Sequence, residues 1–464
     1  MPARNRCNIE GMERKRYYET IVIGAGAGGL FFGAACPVSG GDAGRTLILE
    51  KTNRIGTKLL MSGSGQCNLT HGGSIKEFLS CYGQNGKRIR TVLYRHNNIE
   101  LQDFMRDLGI TTIEREDGKI FPASLRAKDV QGALIRRCER NGVEIKKNSE
   151  VVRIVPLENT GSTDCGEPDF VGASAPGSCA AVFGDASAPY EAARFAIETA
   201  GGEVYTCRSL VIAAGGSSYP ASGSDGSLLK VFARDLPELT VCKPKPSLVP
   251  VFVENYPFGT LSGIGFHDVE IKIFEPKSKK ALKLAHPCGD LLLTHKNFSG
   301  PVILNNSRNI FNGCGLEINF IFPYTVNDML SYLKEIFPGN RRMISGCIGE
   351  NYLLPKKFIS AVLDRINVSD KPAAKLSGGE IKRIAEAFAT MRFTVSGTGG
   401  FSIAMATAGG VSLDEIALSE MQSRKYPGLY FIGEILDIDG DTGGYNLQFA
   451  YSSARAAADS IYKK

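Results

Sequence analysis

The chain has 464 residues, 43% of them hydrophobic and 22% charged, with 53 glycines and a formal net charge of +6. That length predicts two or three domains, and the apolar content excludes a disordered chain. The mild positive charge permits an anionic ligand or a nucleic-acid face without requiring either. Twelve cysteines, none in a Cys-x-x-Cys pair, give no metal spacing and no disulfide framework, which suits a reducing cytoplasm.

The opening "MPARNRCNIEGMERKRYYET" has no apolar core of the kind a signal peptide needs. Residues 1–17 read as a disordered extension, with Met12 as an alternative start. No stretch of about 18 apolar residues is present, so no membrane span is expected. "YETIVI" from Tyr18 reads as a buried strand, "GAGAGG" as a turn, "LFFGAAC" as a helix start and "TLILE", ending at Glu50, as a second strand. Residues 75–141 read as mainly helical, with one helix stopping at Gly109 and another at Asn141-Gly142. A hairpin between them turns at Asp117-Gly118. "VEIKKNSEVVRIV" returns as strand, and the Gly/Ala/Ser/Pro-rich residues 156–189 read as a flexible surface insertion. "RSLVIAAGG" is a further buried strand. From about Lys243 the texture changes to short strands, predicting an inserted domain over 246–392. Residues 18–245 and 393–464 then form two segments of one domain. In the second, Gly428–Asp437 reads as a strand and the C-terminus as a helix.

"GAGAGG" fits G-x-G-x-x-G with Gly24, Gly26 and Gly29. Gly24 allows the tight turn, Gly26 lets a pyrophosphate approach the backbone, and Gly29 lets helix and strand pack closely. Glu50, about twenty residues on, stands at the next strand tip, where a carboxylate accepts from ribose hydroxyls. "SGSGQCNLT", from Ser62, is too polar and glycine-rich for core and has no apolar helical face. Bare backbone of this kind suits a loop against a broad planar ring, which favours FAD over NAD as the dinucleotide.

Several stretches together resemble the HI0933-like family of FAD-dependent oxidoreductases, also described as aminoacetone-oxidase-like or BaiN-like flavoproteins. They are "GTKLLMSGSGQCNLTH", "GKIFP", "AAGGSSYPASGSDG", "THKNFSGP", and "TAGGVSLDEI" with "GLYFIGEILDIDGDTGGYNLQ". They run in family order along nearly the whole chain. Gln66 and His71 depart from the family's Arg and Asn. The loss of that arginine puts its family role in doubt here.

The resemblance implies an α/β fold: a Rossmann-like FAD-binding domain in two segments with a smaller strand-rich domain inserted. It implies that Gly24, Gly26, Gly29, Glu50 and Lys51 hold the ADP half, with the backbone near Val151 facing adenine. Ala214, Gly215 and Gly216 would pass close to the cofactor, and Gly433 and Glu434 would approach the ribityl chain. Gly444, Tyr445, Asn446 and Leu447 would place a helix N-terminus beside the ring, where its positive end stabilises the reduced flavin. Ser62, Gly63, Gly65, Cys67 and Asn68 would line the ring, Cys67 as a small filler more than as a redox thiol.

Hydride delivery to a C=C bond needs a proton at the neighbouring carbon, and Tyr219 and Tyr445 are the candidate donors. His295 and Ser299 are candidates for the substrate side. With no second G-x-G-x-x-G, NAD(P)H is expected to dock transiently at the flavin. The expected activity is NAD(P)H-fed reduction of an activated C=C bond, in an enone-like small molecule or in uridine of ribosomal RNA. The alternatives are an FAD-dependent amine oxidase that makes peroxide and an RNA- or ribosome-binding flavoprotein. The last is motivated by Lys243, Lys245, Lys272 and Lys280. "LSGGE" at Leu376 resembles a transporter-ATPase signature but has no Walker A to serve.

Overall fold

The structure is a computed structural model and describes residues 16–38, 45–157 and 193–463. Nearly all of the expected disordered extension and flexible insertion lies outside those residues. Arg16, Tyr17, Pro156 and Leu157 do not. Tyr17 pairs with Thr206 and Pro156 with Phe195, so ladder hydrogen bonds claim both residues for strands.

Five parallel strands make the centre of the main sheet: β1 (Tyr17–Ile23), β2 (Thr46–Leu49), β3 (Glu144–Lys146), β4 (Val204–Ile212) and β5 (Leu429–Phe431). Their order is β5-β4-β1-β2-β3. β1 is central, and Ile21 and Val22 are fully buried. A strand covered on both faces must be apolar at consecutive positions, which is why "TIVI" and "TLIL" do not alternate. Each fully buried aliphatic side chain there stabilises the fold by about 1.5–3 kcal/mol.

Helix α1 (Ala27–Ala35) follows β1 and packs against α2 (Ala127–Arg140) and α3 (Tyr445–Tyr462). Gly33 permits the close approach of α2, since a Cβ there would stand 2.9 Å from Cys138 Sγ. The sequence "VEIKKNSEVVRIV" makes two strands, β3 and Val151–Pro156, and only β3 joins the parallel set. The stretch Gly428–Asp437 is not one strand. β5 spans three residues, and Gly433 (φ +69°) turns the chain into a short 3-10 turn.

The antiparallel pair Val241–Ser247 and Ala406–Val411 connects this domain to the inserted one. There six strands close into a barrel, from Val251–Val253 to Met391–Thr398. The barrel thus runs past the expected boundary at 392, because Arg392–Thr394 complete the pairing with Gly315–Glu317. Helices Val326–Ile336, Ile344–Tyr352, Lys356–Arg365 and Gly378–Ala389 cap the barrel, a helical layer that the strand-rich expectation lacked. "LSGGE" is the start of the last of these. Ser377 and Glu380 form a capping box, with Ser377 N donating to Glu380 Oε2 at 2.8 Å. Among the described residues, no helix is long and apolar enough to cross a membrane.

Candidate functional site

A cleft of about 880 Å³ runs from the β1–α1 turn to the connection with the inserted domain. Its size falls in the range of cofactor sites. The glycines of the turn have three distinct settings. Gly24 (φ +104°) lies so close to β4 that a Cβ would meet Ala213 O at 2.6 Å. At Gly29 a Cβ would overlap Gly24 O at 2.0 Å, so this residue packs helix on strand and does not line the cleft. At Gly26 a Cβ would meet nothing within 4 Å, and the residue lines the cleft. That open backbone at a helix start is a cradle a side chain would fill, and it fits a pyrophosphate.

Glu50 is 7% exposed at the tip of β2. Its Oε2 accepts from Ala25 N at 2.9 Å, and its Oε1 accepts from Thr52 N and Oγ1, both at 2.8 Å. A carboxylate has about four lone-pair sites, so it retains capacity for ribose hydroxyls. Lys51 lines the cleft, paired with Asp225 at 2.7 Å and Glu150 at 2.9 Å. Val151, Ala214, Gly215 and Gly216 also line it.

The glycine-rich loop forms the far wall. Gly63, Ser64, Gly65 and Cys67 all take positive φ, and Ser64 and Cys67 do so without a glycine's freedom. Left-handed settings of non-glycine residues cost about 1 kcal/mol or more each and concentrate at functional sites. Ser62, Gly63 and Asn68 line the cleft, whereas Gly65 and Cys67 do not. At φ +62° the Cys67 side chain is set in the core. It is fully buried, and burial pushes its thiol up to about 11. Asn68 ties this wall to α3. With its amide oriented to suit its neighbours, the nitrogen donates to Thr70 O at 2.9 Å and the oxygen accepts from Gly444 N at 3.2 Å.

At the start of α3, Gly444, Asn446 and Leu447 line the cleft, but Tyr445 does not. Its ring is stacked on His71 at 5.5 Å and packed edge-on to Phe78 and Tyr82, so the expected proton donor is buried in an aromatic cluster. Tyr219 does line the cleft. It is held at φ +60°, its N–H donating to Phe401 O at 2.8 Å. His295 and Ser299 stand outside the lining, although Pro301 of the same motif is in it.

Sequence reasoning missed two features. Lys58 crosses the cleft to Glu434 (2.6 Å) and Ser218 (2.5 Å), and Ser218 Oγ donates to Glu434 Oε1 at 2.6 Å. Gly433 and Glu434 do line the cleft, but the Glu434 carboxylate already holds these two donors. Arg115, from the hairpin, donates to Gln66 Oε1 at 2.6 Å and lies 4.0 Å over the Phe121 ring. A guanidinium therefore stands beside Gln66 after all, supplied from another segment. The outer cleft is apolar, lined by Met61, Phe121, Leu248, Pro301, Ile403 and Met405.

A family model described as "HI0933-like protein Rossmann domain" matches residues 18–165 and 186–460. The chain belongs to the HI0933-like family. It is an FAD-dependent oxidoreductase of that family. A protein named ribosomal RNA dihydrouridine synthase, from Haemophilus influenzae, is 30% identical over 97% of this chain and 100% of its own length. A 3-dehydro-bile acid delta(4,6)-reductase from Clostridium scindens is 29% identical over 94% of this chain and 98% of its own. Among solved structures, a 3-ketosteroid-delta4-(5alpha)-dehydrogenase from Rhodococcus jostii RHA1 shares 13% identity over 95% of this chain and 97% of that one, with a TM-score of 0.46.

Proposed function

We propose that this HI0933-like protein uses NAD(P)H to reduce a C=C bond conjugated to a carbonyl, in an enone-like small molecule or a uridine of ribosomal RNA. The observation that carries the reading is one cleft with a dinucleotide cradle at Gly26 and Glu50 and an open apolar half bounded by Met61, Ile403 and Met405. Donor and acceptor would use that open half in turn. The names of the two curated relatives both describe saturation of such a bond.

When bound, FAD supplies a ring that takes up a hydride equivalent and returns it to an electrophilic carbon. The residues of this chain do the rest. Gly26, at the start of α1, would present its backbone N–H to the phosphates, while the Gly24 N–H is held by Leu49 O at 2.8 Å, and Glu50 would accept from the ribose. The loop Ser62–Asn68 lies along one wall, and the start of α3 turns its positive end toward developing negative charge. The apolar outer wall would shield the reacting carbons from water once a substrate fills it. Tyr219 donates the proton to the carbon beside the one that receives hydride.

A role as an RNA- or ribosome-binding flavoprotein, resting on the lysines named above, is not favoured. Lys272 lies 3.6 Å from both Glu270 and Glu317, which neutralises much of its charge.

The test is anaerobic. The protein is reduced with NADPH, then mixed with a 4-ene-3-ketosteroid or with unmodified ribosomal RNA. Reoxidation with the C=C bond saturated supports the reading. Oxygen as the only effective acceptor, with peroxide formed from an amine, replaces it with an oxidase. In the same assay Tyr219→Phe is expected to slow reoxidation by about 100-fold while reduction by NADPH is unchanged. Tyr445→Phe is expected to change neither rate by more than about 3-fold, because its hydroxyl does not reach the cleft. The reverse pattern would transfer the proton role to Tyr445.

A further inference from the structure

Beside the cleft, three chain segments bring together Cys81, His286 and Asp441. One donor atom of each lies within 4.8 Å of those of the other two, the only such group of cysteine, histidine and carboxylate ligands found among the described residues. Cys81 lies in a 3-10 turn (Leu79–Asn85) of the first segment, His286 comes from the barrel domain, and Asp441 from the second segment. The backbone fixes them. Asp441 N donates to Cys81 O at 2.8 Å, and Asn306 Nδ2 donates to His286 O at 2.8 Å.

We propose that this cluster is a binding site for a divalent transition cation of the zinc type. Two observations converge on it. His286 Nε2 is buried without a hydrogen-bond partner, yet it stands 3.4 Å from Asp441 Oδ2. Two metal–ligand bonds of about 2.1 Å meeting at a tetrahedral angle put their N and O atoms about 3.4 Å apart. That separation therefore suits a shared ion.

Charge gives the second argument. Arg308 is 2.8 Å from Asp441 Oδ1 and 3.5 Å from Asp439 Oδ2. Two carboxylates against this one guanidinium leave an excess of one negative charge; loss of the Cys81 proton on binding adds a second, and a divalent cation cancels both. Arg308 holds Asp441 through Oδ1 and leaves Oδ2 facing His286, the arrangement of a ligating carboxylate with an outer hydrogen-bond partner.

Thiolate, imidazole and carboxylate together match zinc, and three protein donors leave a fourth position for water. On binding, the Cys81 S–H bond breaks, its proton goes to solvent and an S–metal bond forms, with no change of oxidation state. Asp441 also lines the cleft, so the ion would sit in its wall and tie the two domains together.

The site does not depend on the flavin reading. The holoprotein is dialysed against chelator and titrated with Co(II), whose ligand-field bands fall on the long-wavelength side of flavin absorption. One tightly held equivalent with thiolate-type bands is expected, together with a rise in Tm. Cys81→Ser and His286→Ala are each expected to weaken binding at least about 10-fold, with FAD content and far-UV circular dichroism unchanged. Failure of the wild type to retain Co(II), or wild-type affinity in both variants, overturns the proposal.

Discussion

Gly26→Val is expected to give a folded protein that no longer retains FAD. The backbone at Gly26 faces open cleft, with nothing within 4 Å of a Cβ, so the valine side chain points into the cleft. They would occupy the space a pyrophosphate needs to reach the N–H groups of α1. A loss of about 100-fold or more in FAD affinity, about 3 kcal/mol, is the expected size. The comparison is Gly29→Val, whose Cβ would overlap Gly24 O. That change should reduce soluble, folded protein itself, because overpacking a helix–strand contact destabilises the domain. Equilibrium titration with FAD and thermal unfolding separate the two. Full FAD retention in Gly26→Val would remove the phosphate role from this turn.

Glu434→Ala is expected to cost about 2 kcal/mol of stability and to loosen the cofactor. The carboxylate accepts from Lys58 and Ser218, and the two charged side chains are only 28% and 18% exposed. Removing the carboxylate leaves the Lys58 ammonium without its counter-charge, with only Ser218 Oγ to accept from it, and the Ser218 hydroxyl without its acceptor, both partly desolvated. The Lys58→Ala and Glu434→Ala double-mutant cycle should therefore show a coupling of about 1–2 kcal/mol, above that of an exposed pair. A coupling within about 0.3 kcal/mol of zero would mean that the pair is a solvated surface contact.

The parts of the site legible in the sequence are those set by local backbone. Gly24, Gly26 and Gly29 are spaced by turn and helix geometry, and Glu50 ends the adjacent strand, so both sit in one βαβ unit. The parts that were not legible arise from distant pairing. Lys58 meets Glu434 across 376 positions, and the guanidinium beside Gln66 comes from Arg115, 49 positions on. No spacing rule reaches that far. Tyr445 fails as a cleft residue for a different reason. Its motif fixes where the helix starts, but the partners His71, Phe78 and Tyr82 determine which way the first ring turns. In the inserted domain the short strands were readable from composition. Its helical cap was obscured by glycine and proline between the helices, and it takes its order from the barrel it covers.

The visible absorption spectrum of the purified protein, recorded before and after anaerobic NADPH, tests the central claim most directly. The account predicts oxidised-flavin bands at about one FAD per chain that bleach on addition of NADPH. Bands that persist would contradict the electron route proposed here. A protein that carries no flavin and binds none when FAD is added would contradict the assignment of the cleft.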